Sequence, residues 1–171
     1  MQFPMIPPDD RILFYRRDRW DFGFLSHFHP SPMIIDGVDW PTVEHFYQAQ
    51  KSLDRRYYLA IRSCATPGHA KRRAATPSVG GRDRGSWFVE KNQTPRPDWE
   101  EVKADVMRRA DREKYLQNPE LASRLLATRD AEIIEDAPND AYWGTGSDGR
   151  GQNLAGRILM DVRRALCDGT L

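Results

Sequence analysis

The stretch WPTVEHFYQAQK, residues 40–51, predicts the helix from which the rest of the chain can be placed. Thr42 suits the N-cap position, because its hydroxyl oxygen can accept a backbone hydrogen bond at the helix start. At about 100° per residue, one broad face is formed by four residues, Val43, Phe46, Tyr47 and Gln50. A neighbouring face within about 60° carries a carboxylate, an amide and an amine, those of Glu44, Gln48 and Lys51.

This polar face has two interpretations. If it lines a cleft, Glu44 and Lys51 can contact one ligand, and a desolvated Lys51 can act as a nucleophile. The helix dipole favours the charged forms of both groups, since Glu44 lies in the first turn and Lys51 near the other end. Geometry alone favours the second interpretation, an ordinary amphipathic helix with a solvated polar stripe.

The elements around this helix predict a helix-rich α+β fold. Upstream, Asp36-Gly37 between apolar β-formers indicates a hairpin, and residues 12–15 indicate a short strand. Downstream, helices are predicted at five places, namely 54–64, 66–73, 96–117, from 119 onwards, and 153–167, with a strand at 132–135. Residues 77–95 are expected to be a loop, because they contain three glycines and two prolines. We therefore expect a single domain, residues 1–171, with a small antiparallel sheet.

Length and composition are typical of a soluble globular protein. A chain of 171 residues can bury roughly two-thirds of its unfolded surface. No apolar run approaches the ~20 residues of a membrane span, and the start lacks the pattern of a secretory signal. Cys64 and Cys167 are far apart and lack metal-ligand spacing, which favours reduced thiols. We expect a cytoplasmic protein that does not bind membranes.

Charge is unevenly distributed although the net charge is only +1. Residues 51–96 contain eleven Lys/Arg against three Asp/Glu. Such a segment can attract phosphate-bearing ligands or nucleic acid. It can equally be a solvated basic surface without a partner, and composition alone favours that alternative.

A second candidate site lies in residues 139–153, where four glycines precede a predicted helix. Glycines such as Gly144 and Gly146 let backbone N–H groups approach an anion, and Asn153 can cap the helix. Tyr142 and Trp143 offer flat surfaces on which a base can stack. The loop matches neither a Walker A nor a Rossmann motif, and a simple surface loop is an equally good interpretation.

Three further residues are weaker candidates. Trp99, at the head of the long helix, is more typical of a core anchor than of a stacking platform. His27-x-His29 resembles a metal pair, but no third ligand is spaced to join it, so we expect no metal. Ser26 lacks the Gly-x-Ser-x-Gly motif of serine hydrolases.

The order of these motifs resembles the NADAR family, also called YbiA-like. The resemblance rests on EHFYQAQK at 44–51 and DAYWG at 140–144, which are highly specific together. It is supported by shorter matches, namely FY at 14–15, LSHF at 25–28, RPDW at 96–99 and GQN at 151–153, and it runs from residue 14 to residue 164.

The chain departs from the family pattern in two places. The family often has Asn where this chain has His27, and residues 82–93 look longer than in compact bacterial members.

The resemblance implies a hydrolase that cleaves N-glycosidic bonds without a metal or cofactor. It implies Glu44, Lys51 and Asp140 as catalytic residues, with Lys51 either attacking the ribose C1 or holding phosphate. It further implies substrate contacts from Trp99, Trp143 and Asn153. The polar helix face and the glycine-rich loop add four more candidate substrate-binding residues, namely Gln48, Tyr142, Gly144 and Gly146. We expect Glu44 and Lys51 to face a cleft that Asp140 and Trp143 close.

Three functions remain open on this basis. The first is removal of ADP-ribose from guanine in nucleic acid, which the basic segment and the longer 82–93 stretch favour. The second is cleavage of phosphorylated ribosides from riboflavin biosynthesis. The third is a non-catalytic module that binds ADP-ribose, which solvent-facing Glu44 and Lys51 side chains would favour.

Overall fold

The computed structural model describes residues 10–15, 21–76 and 85–171. The helices and strands of these residues are, in chain order, β1 (Arg11–Phe14), a 3-10 turn (Gly23–Leu25), β2 (Met33–Ile35), β3 (Val38–Trp40), α1 (Val43–Ala49), α2 (Arg55–Arg62), α3 (Pro67–Arg73), α4 (Trp87–Lys91), α5 (Trp99–Gln117), α6 (Pro119–Leu126), β4 (Glu132–Glu135) and α7 (Leu154–Asp168). They form two compact units. The central unit is residues 31–110, and the terminal unit combines residues up to 30 with residues 111–171.

The central unit is built on a hairpin and the helix that follows it. Strands β2 and β3 pair antiparallel, with Met33 opposite Trp40. Asp36 and Gly37 at the turn both have positive φ, as a two-residue hairpin turn with the right-handed strand twist requires. Trp40 is 1% exposed and packs edge-on against Phe46 of α1. The hairpin predicted from Asp-Gly is therefore confirmed, and it anchors the start of α1.

The terminal unit contains a second, parallel strand pair. Strand β1 pairs with β4 in register from Arg11–Glu132 to Phe14–Glu135, and α7 packs against β4. The α+β class is confirmed, and the predicted antiparallel pairing is that of the β2–β3 hairpin. The parallel pairing of β1 with β4 was not predicted, because these two strands lie at opposite ends of the chain. The single-domain assignment stays a prediction.

The predicted loop at 77–95 is wrong in its second half. Residues Trp87–Lys91 form α4, and Trp87 and Phe88 are buried. Both rings pack on the Tyr57 ring, with centroid distances of 5.9 and 5.0 Å. Aromatic burial therefore outweighs the local glycine and proline signals. Residues 77–84 lie outside the described residues. Within the described chain, no helix is long and apolar enough to span a membrane.

A close contact between α7 and β4 gives the first testable prediction. A Cβ added at Gly156 would lie 2.0 Å from the Ile133 carbonyl oxygen. Gly156→Ala should therefore push α7 away from β4 and lower the free energy of unfolding by about 1–3 kcal/mol, as overpacking typically does. Urea denaturation measures the change. Ala165→Gly on the same helix serves as a control, since it removes atoms without a clash and should cost only about 1 kcal/mol. An unchanged midpoint for Gly156→Ala would contradict the contact.

Candidate active site

Helix α1 carries three polar side chains, those of Glu44, His45 and Gln48, into the interior of the central unit. All seven of its residues are buried, and Glu44 and Gln48 are 5% and 3% exposed. The Gln48 amide Nε2 donates a 2.8 Å hydrogen bond to the Glu44 carboxylate Oε1. The interpretation of this face as a solvated stripe is therefore wrong for Glu44 and Gln48. A buried carboxylate held by one amide is typical of a functional site.

The Gln48 amide is oriented by that hydrogen bond alone. Its carbonyl Oε1 is buried and has no hydrogen-bond partner among the described residues. Burying an amide carbonyl without a partner costs free energy. The orientation of the Gln48 amide is therefore set by its hydrogen bond to Glu44. The same bond holds the Glu44 carboxylate in place.

Lys51 follows the end of α1, and its side chain lies between two other helices. The Lys51 Nζ atom donates to the carbonyl of Ala74 at the C-terminus of α3, at 3.3 Å. The same atom lies 5.9 Å from the centroid of the Trp99 ring, at the start of α5. An ammonium at this distance from an indole face interacts favourably with it. Lys51 is thus placed by α3 and α5 rather than extended into solvent.

The environment of Lys51 lowers the pKa of its amine and so increases the neutral fraction. Burial lowers the pKa of the Lys51 amine to about 8, against the opposing attraction of the Glu44 charge. The positive charges of Lys71 and Lys103 lower the pKa further, whereas Glu100 opposes this effect. With a pKa near 8, about a tenth of the amine is unprotonated at pH 7. A neutral amine is the nucleophilic form of lysine.

Backbone contacts fix the chain around these side chains. The Tyr57 hydroxyl donates to the Gln48 carbonyl at 2.7 Å. The Arg96 N–H donates to the Lys51 carbonyl at 2.8 Å. These bonds tie the end of α1 to α2 and to the segment before α5. They add to the backbone bonds at the helix end, where the Gln48 carbonyl also accepts the Lys51 N–H.

Trp99 is a core anchor, as its position at the head of the long helix favoured, and its role as a stacking platform stays a prediction. It is 7% exposed, and its ring packs on Tyr47 of α1 with a centroid distance of 5.0 Å. The same ring faces Lys51. Trp99 is therefore a core anchor that also forms a wall beside the amine. The structure brings together four of the predicted site residues, Glu44, Gln48, Lys51 and Trp99.

The remaining predicted residues belong to the terminal unit. The Asp140 carboxylate Oδ1 accepts the N–H groups of Tyr142 and Trp143 at 3.0 and 2.9 Å. This carboxylate therefore caps the turn that presents the two rings, which meet edge-on at 4.9 Å. Tyr142 and Trp143 are partly exposed. Their stacking on a base and the catalytic role of Asp140 stay predictions.

The glycine-rich loop corrects the expected phosphate cradle. The N–H groups of Gly144 and Gly146 donate to the Asp140 carbonyl, and that of Gly151 donates to the Thr145 carbonyl. A Cβ on Gly144 would lie 2.6 Å from the Glu135 carbonyl oxygen. These glycines thus serve close packing within the loop. Because the amides of Gly144 and Gly146 already donate within the loop, the expected role of these two glycines as anion donors is wrong.

Asn153 also differs from expectation. It occupies the N-cap position of α7 with φ 49°, but its side chain makes no capping bond. Instead Oδ1 accepts the Glu135 N–H and Nδ2 donates to the Ile133 carbonyl, both at 2.9 Å. Its side chain therefore joins α7 to β4. Contact with substrate stays a prediction for this residue.

A buried ionic cluster in the terminal unit was missed by the sequence analysis. The His27 Nε2 atom lies 3.0 Å from Asp111 Oδ2, and Lys114 donates to the carbonyls of Phe24 and Ser26. Burial lowers the pKa of His27, but the charge and hydrogen bond of Asp111 outweigh it and raise the pKa above its usual value. His27 is thus paired with a carboxylate rather than with His29. No group of three or more metal-ligating side chains occurs in the described ranges.

Comparison with known proteins gives one consistent result. The model of the NADAR domain matches residues 13–167. N-glycosidase YbiA of Escherichia coli is 41% identical over 157 residues, covering 92% of this chain and 89% of the relative. A riboflavin biosynthesis protein of Vibrio vulnificus is also 41% identical, over 91% of this chain and 38% of the relative. An N-glycosidase of Nostoc punctiforme is 35% identical, over 91% of this chain and 92% of the relative.

A solved structure agrees with these sequence matches. The NMR structure of Escherichia coli YbiA superposes with a TM-score of 0.79 at 39% sequence identity. The match covers 99% of this chain and 90% of that chain.

The environment of Lys51 gives the second prediction. In an NMR titration with ¹³Cε-labelled lysine, a resonance with a midpoint near pH 8 should disappear in Lys51→Met. Glu44→Gln should move that midpoint downwards, because Glu44 stabilises the ammonium. Lys91→Met, which removes an exposed lysine, is the control and should leave the resonance in place. A Lys51 midpoint near 10.5 would show that the amine is solvated.

Proposed function

The chain belongs to the NADAR family and is an N-glycosidase, and we propose that it removes ADP-ribose from modified guanine in nucleic acid. The cleavage chemistry rests on the placement of the Lys51 amine between Ala74 and Trp99, on the segment that also buries Glu44. The observation that carries the nucleic-acid substrate is the row of exposed basic residues on α2 and α3. A partly desolvated amine can act as a nucleophile, and a fixed carboxylate can stabilise the positive charge that develops when a ribose–base bond breaks.

Glu44 stabilises the positive charge that develops on the ribose. Breaking the bond between C1 and the base nitrogen gives an oxocarbenium-like transition state, and a nearby carboxylate lowers its energy. Gln48 holds Glu44 by its 2.8 Å hydrogen bond. A carboxylate fixed before the reaction does not have to reorganise as the charge appears. Gln48 is in this sense a positioning residue.

Lys51 acts as the nucleophile. Its neutral amine attacks C1 while the electron pair of the C1–N bond leaves with the base, which takes up a proton. The attached amine then loses a proton, the ribose ring opens, and a Schiff base forms between Lys51 and C1. Water adds to this imine, and the C1–Nζ bond breaks, which releases the sugar and restores the amine. Trp99 lies beside the amine and limits the access of water to it.

The basic helices of the central unit support a nucleic-acid substrate. Arg55 and Arg56 on α2, and Lys71 and Arg72 on α3, are all exposed. A polymer of phosphates is attracted by such a surface, and its binding weakens with salt. The non-catalytic alternative loses support, because Glu44 is buried and Lys51 contacts Ala74 and Trp99.

A second candidate is cleavage of phosphorylated ribosides of riboflavin biosynthesis. It is favoured by the names of two relatives, the Vibrio vulnificus protein and a chloroplastic riboflavin biosynthesis protein of Zea mays. The same Glu44 and Lys51 chemistry would act on either substrate, since both carry a ribose joined to a base nitrogen.

Incubation with both substrates tests the proposal, which is our third prediction. We expect release of ADP-ribose from an oligonucleotide with ADP-ribosylated guanine, detected by mass spectrometry. Raising the salt from 50 to 200 mM should lower kcat/KM for the oligonucleotide at least tenfold, because phosphate contacts release counterions. A phosphorylated aminopyrimidine riboside is the comparison substrate. Cleavage of the riboside alone would replace the proposal with the second candidate.

The two carboxylates give the fourth prediction. Glu44→Gln and Asp140→Asn should each lower kcat by about 10²-fold or more, because each removes a proposed catalytic charge while keeping the shape. Glu101→Gln, an exposed residue on α5, is the matched control and should keep the original rate. Circular dichroism checks that each variant is folded. A rate equal to the parent protein in either variant excludes that carboxylate from the chemistry.

A further inference from the structure

Two lysines approach the reactive amine from opposite helices of the central unit. The Lys51 amine bonds to Ala74, and Lys71 lies three residues before Ala74, one turn earlier on α3. On the other side the amine lies by Trp99, and Lys103 lies four residues after Trp99, one turn later on α5. Residues three or four apart share a helix face. Lys71 and Lys103 therefore lie on the helix faces that flank Lys51.

The electrostatics agree with this placement. Both lysines repel the charged form of Lys51 strongly enough to lower its pKa. Such coupling falls off within about 10 Å in water, so the three amines form one cluster. Neither Lys71 nor Lys103 takes part in bond cleavage by Glu44 and Lys51.

We propose that Lys71 and Lys103 form a subsite for the phosphate on the 5-position of the substrate ribose. The subsite rests on the proposed N-glycosidase function, since it places the phosphate of the sugar whose C1 meets Lys51. Two ammonium groups on separate helices can each donate to different phosphate oxygens. Both candidate substrates carry phosphate at this position, so the subsite serves the ribose phosphate in either case.

Two carboxylates, those of Glu44 and Glu100, oppose the positive charge of the cluster. Lys103 pairs with Glu100, one turn earlier on α5. The Glu100 side chain is 77% exposed, whereas the Lys103 side chain is 16% exposed. Water screens the exposed carboxylate more than the partly buried ammonium. A phosphate can therefore replace Glu100 as the partner of Lys103 at little cost.

Binding of the product sugar tests the subsite without turnover, and this is our fifth prediction. We expect Lys71→Gln and Lys103→Gln each to weaken the affinity for ribose 5-phosphate about tenfold, measured by NMR chemical-shift titration. Affinity for unphosphorylated ribose should not change. ADP-ribose should lose affinity in parallel with ribose 5-phosphate, since its ribose carries a phosphate at the same position.

Matched variants separate the subsite from a general charge effect. Lys91→Gln removes an exposed cation of α4 and should leave the affinity for ribose 5-phosphate unchanged at 150 mM salt. Lys103→Arg keeps the charge and should restore most of the affinity that Lys103→Gln loses. An equal loss for Lys91→Gln, or an equal loss of ribose binding, overturns the proposal, as does unchanged affinity in both lysine variants.

The two proposals can fail separately. If no riboside or ADP-ribosylated guanine is cleaved, yet ribose 5-phosphate binds in a manner that depends on Lys71 and Lys103, the subsite stands and the proposed substrates do not. If substrate is cleaved and the lysine variants keep the KM of the parent protein for it, the function stands and the subsite is overturned.

Discussion

The complete burial of helix α1 is the constraint on which the site depends. A helix with seven buried residues cannot expose its polar side chains to water. The Gln48 amide therefore donates its hydrogen bond to the Glu44 carboxylate inside the protein. The same burial forces His45 to bond to the Thr42 hydroxyl and the Cys64 carbonyl. Each of these bonds offsets the loss of water by a polar group. The helix is thus held in one position, and the carboxylate with it.

The position of the Lys51 side chain depends on α1, although Lys51 itself lies beyond the end of this helix. The helix ends at Ala49, and the chain then turns so that the Lys51 carbonyl meets Arg96 while the amine meets Ala74. Burial and the neighbouring lysines favour the neutral amine, and Glu44 favours the ammonium. A pKa of about 8 is the balance of these effects, and it is suited to a nucleophile that works near neutral pH. Removing Glu44 therefore changes two things, the stabilising carboxylate and the protonation of Lys51.

The sequence predicted local features well where one segment determines them. Thr42 and the apolar spacing gave the start and the face of α1, and Asp36-Gly37 gave the hairpin. Prediction from the sequence failed where contacts between segments far apart in the chain determine the structure. Periodicity could not show that other elements cover the polar face of α1, since a buried and a solvated stripe have the same spacing. Glycines in the 144–151 loop suggested an anion site, whereas close packing on the Glu135 carbonyl explains Gly144. The pair His27–Asp111 had no local signal at all.

The central claim is that Lys51 attacks the ribose and holds it covalently. Sodium borohydride added during turnover reduces a Schiff base to a stable amine, and peptide mass spectrometry locates it. The account predicts a ribose-containing adduct on Lys51 that disappears in Lys51→Arg, whose guanidinium stays protonated. Turnover by the unmodified protein with no adduct on Lys51 would contradict the account and leave Lys51 a binding residue.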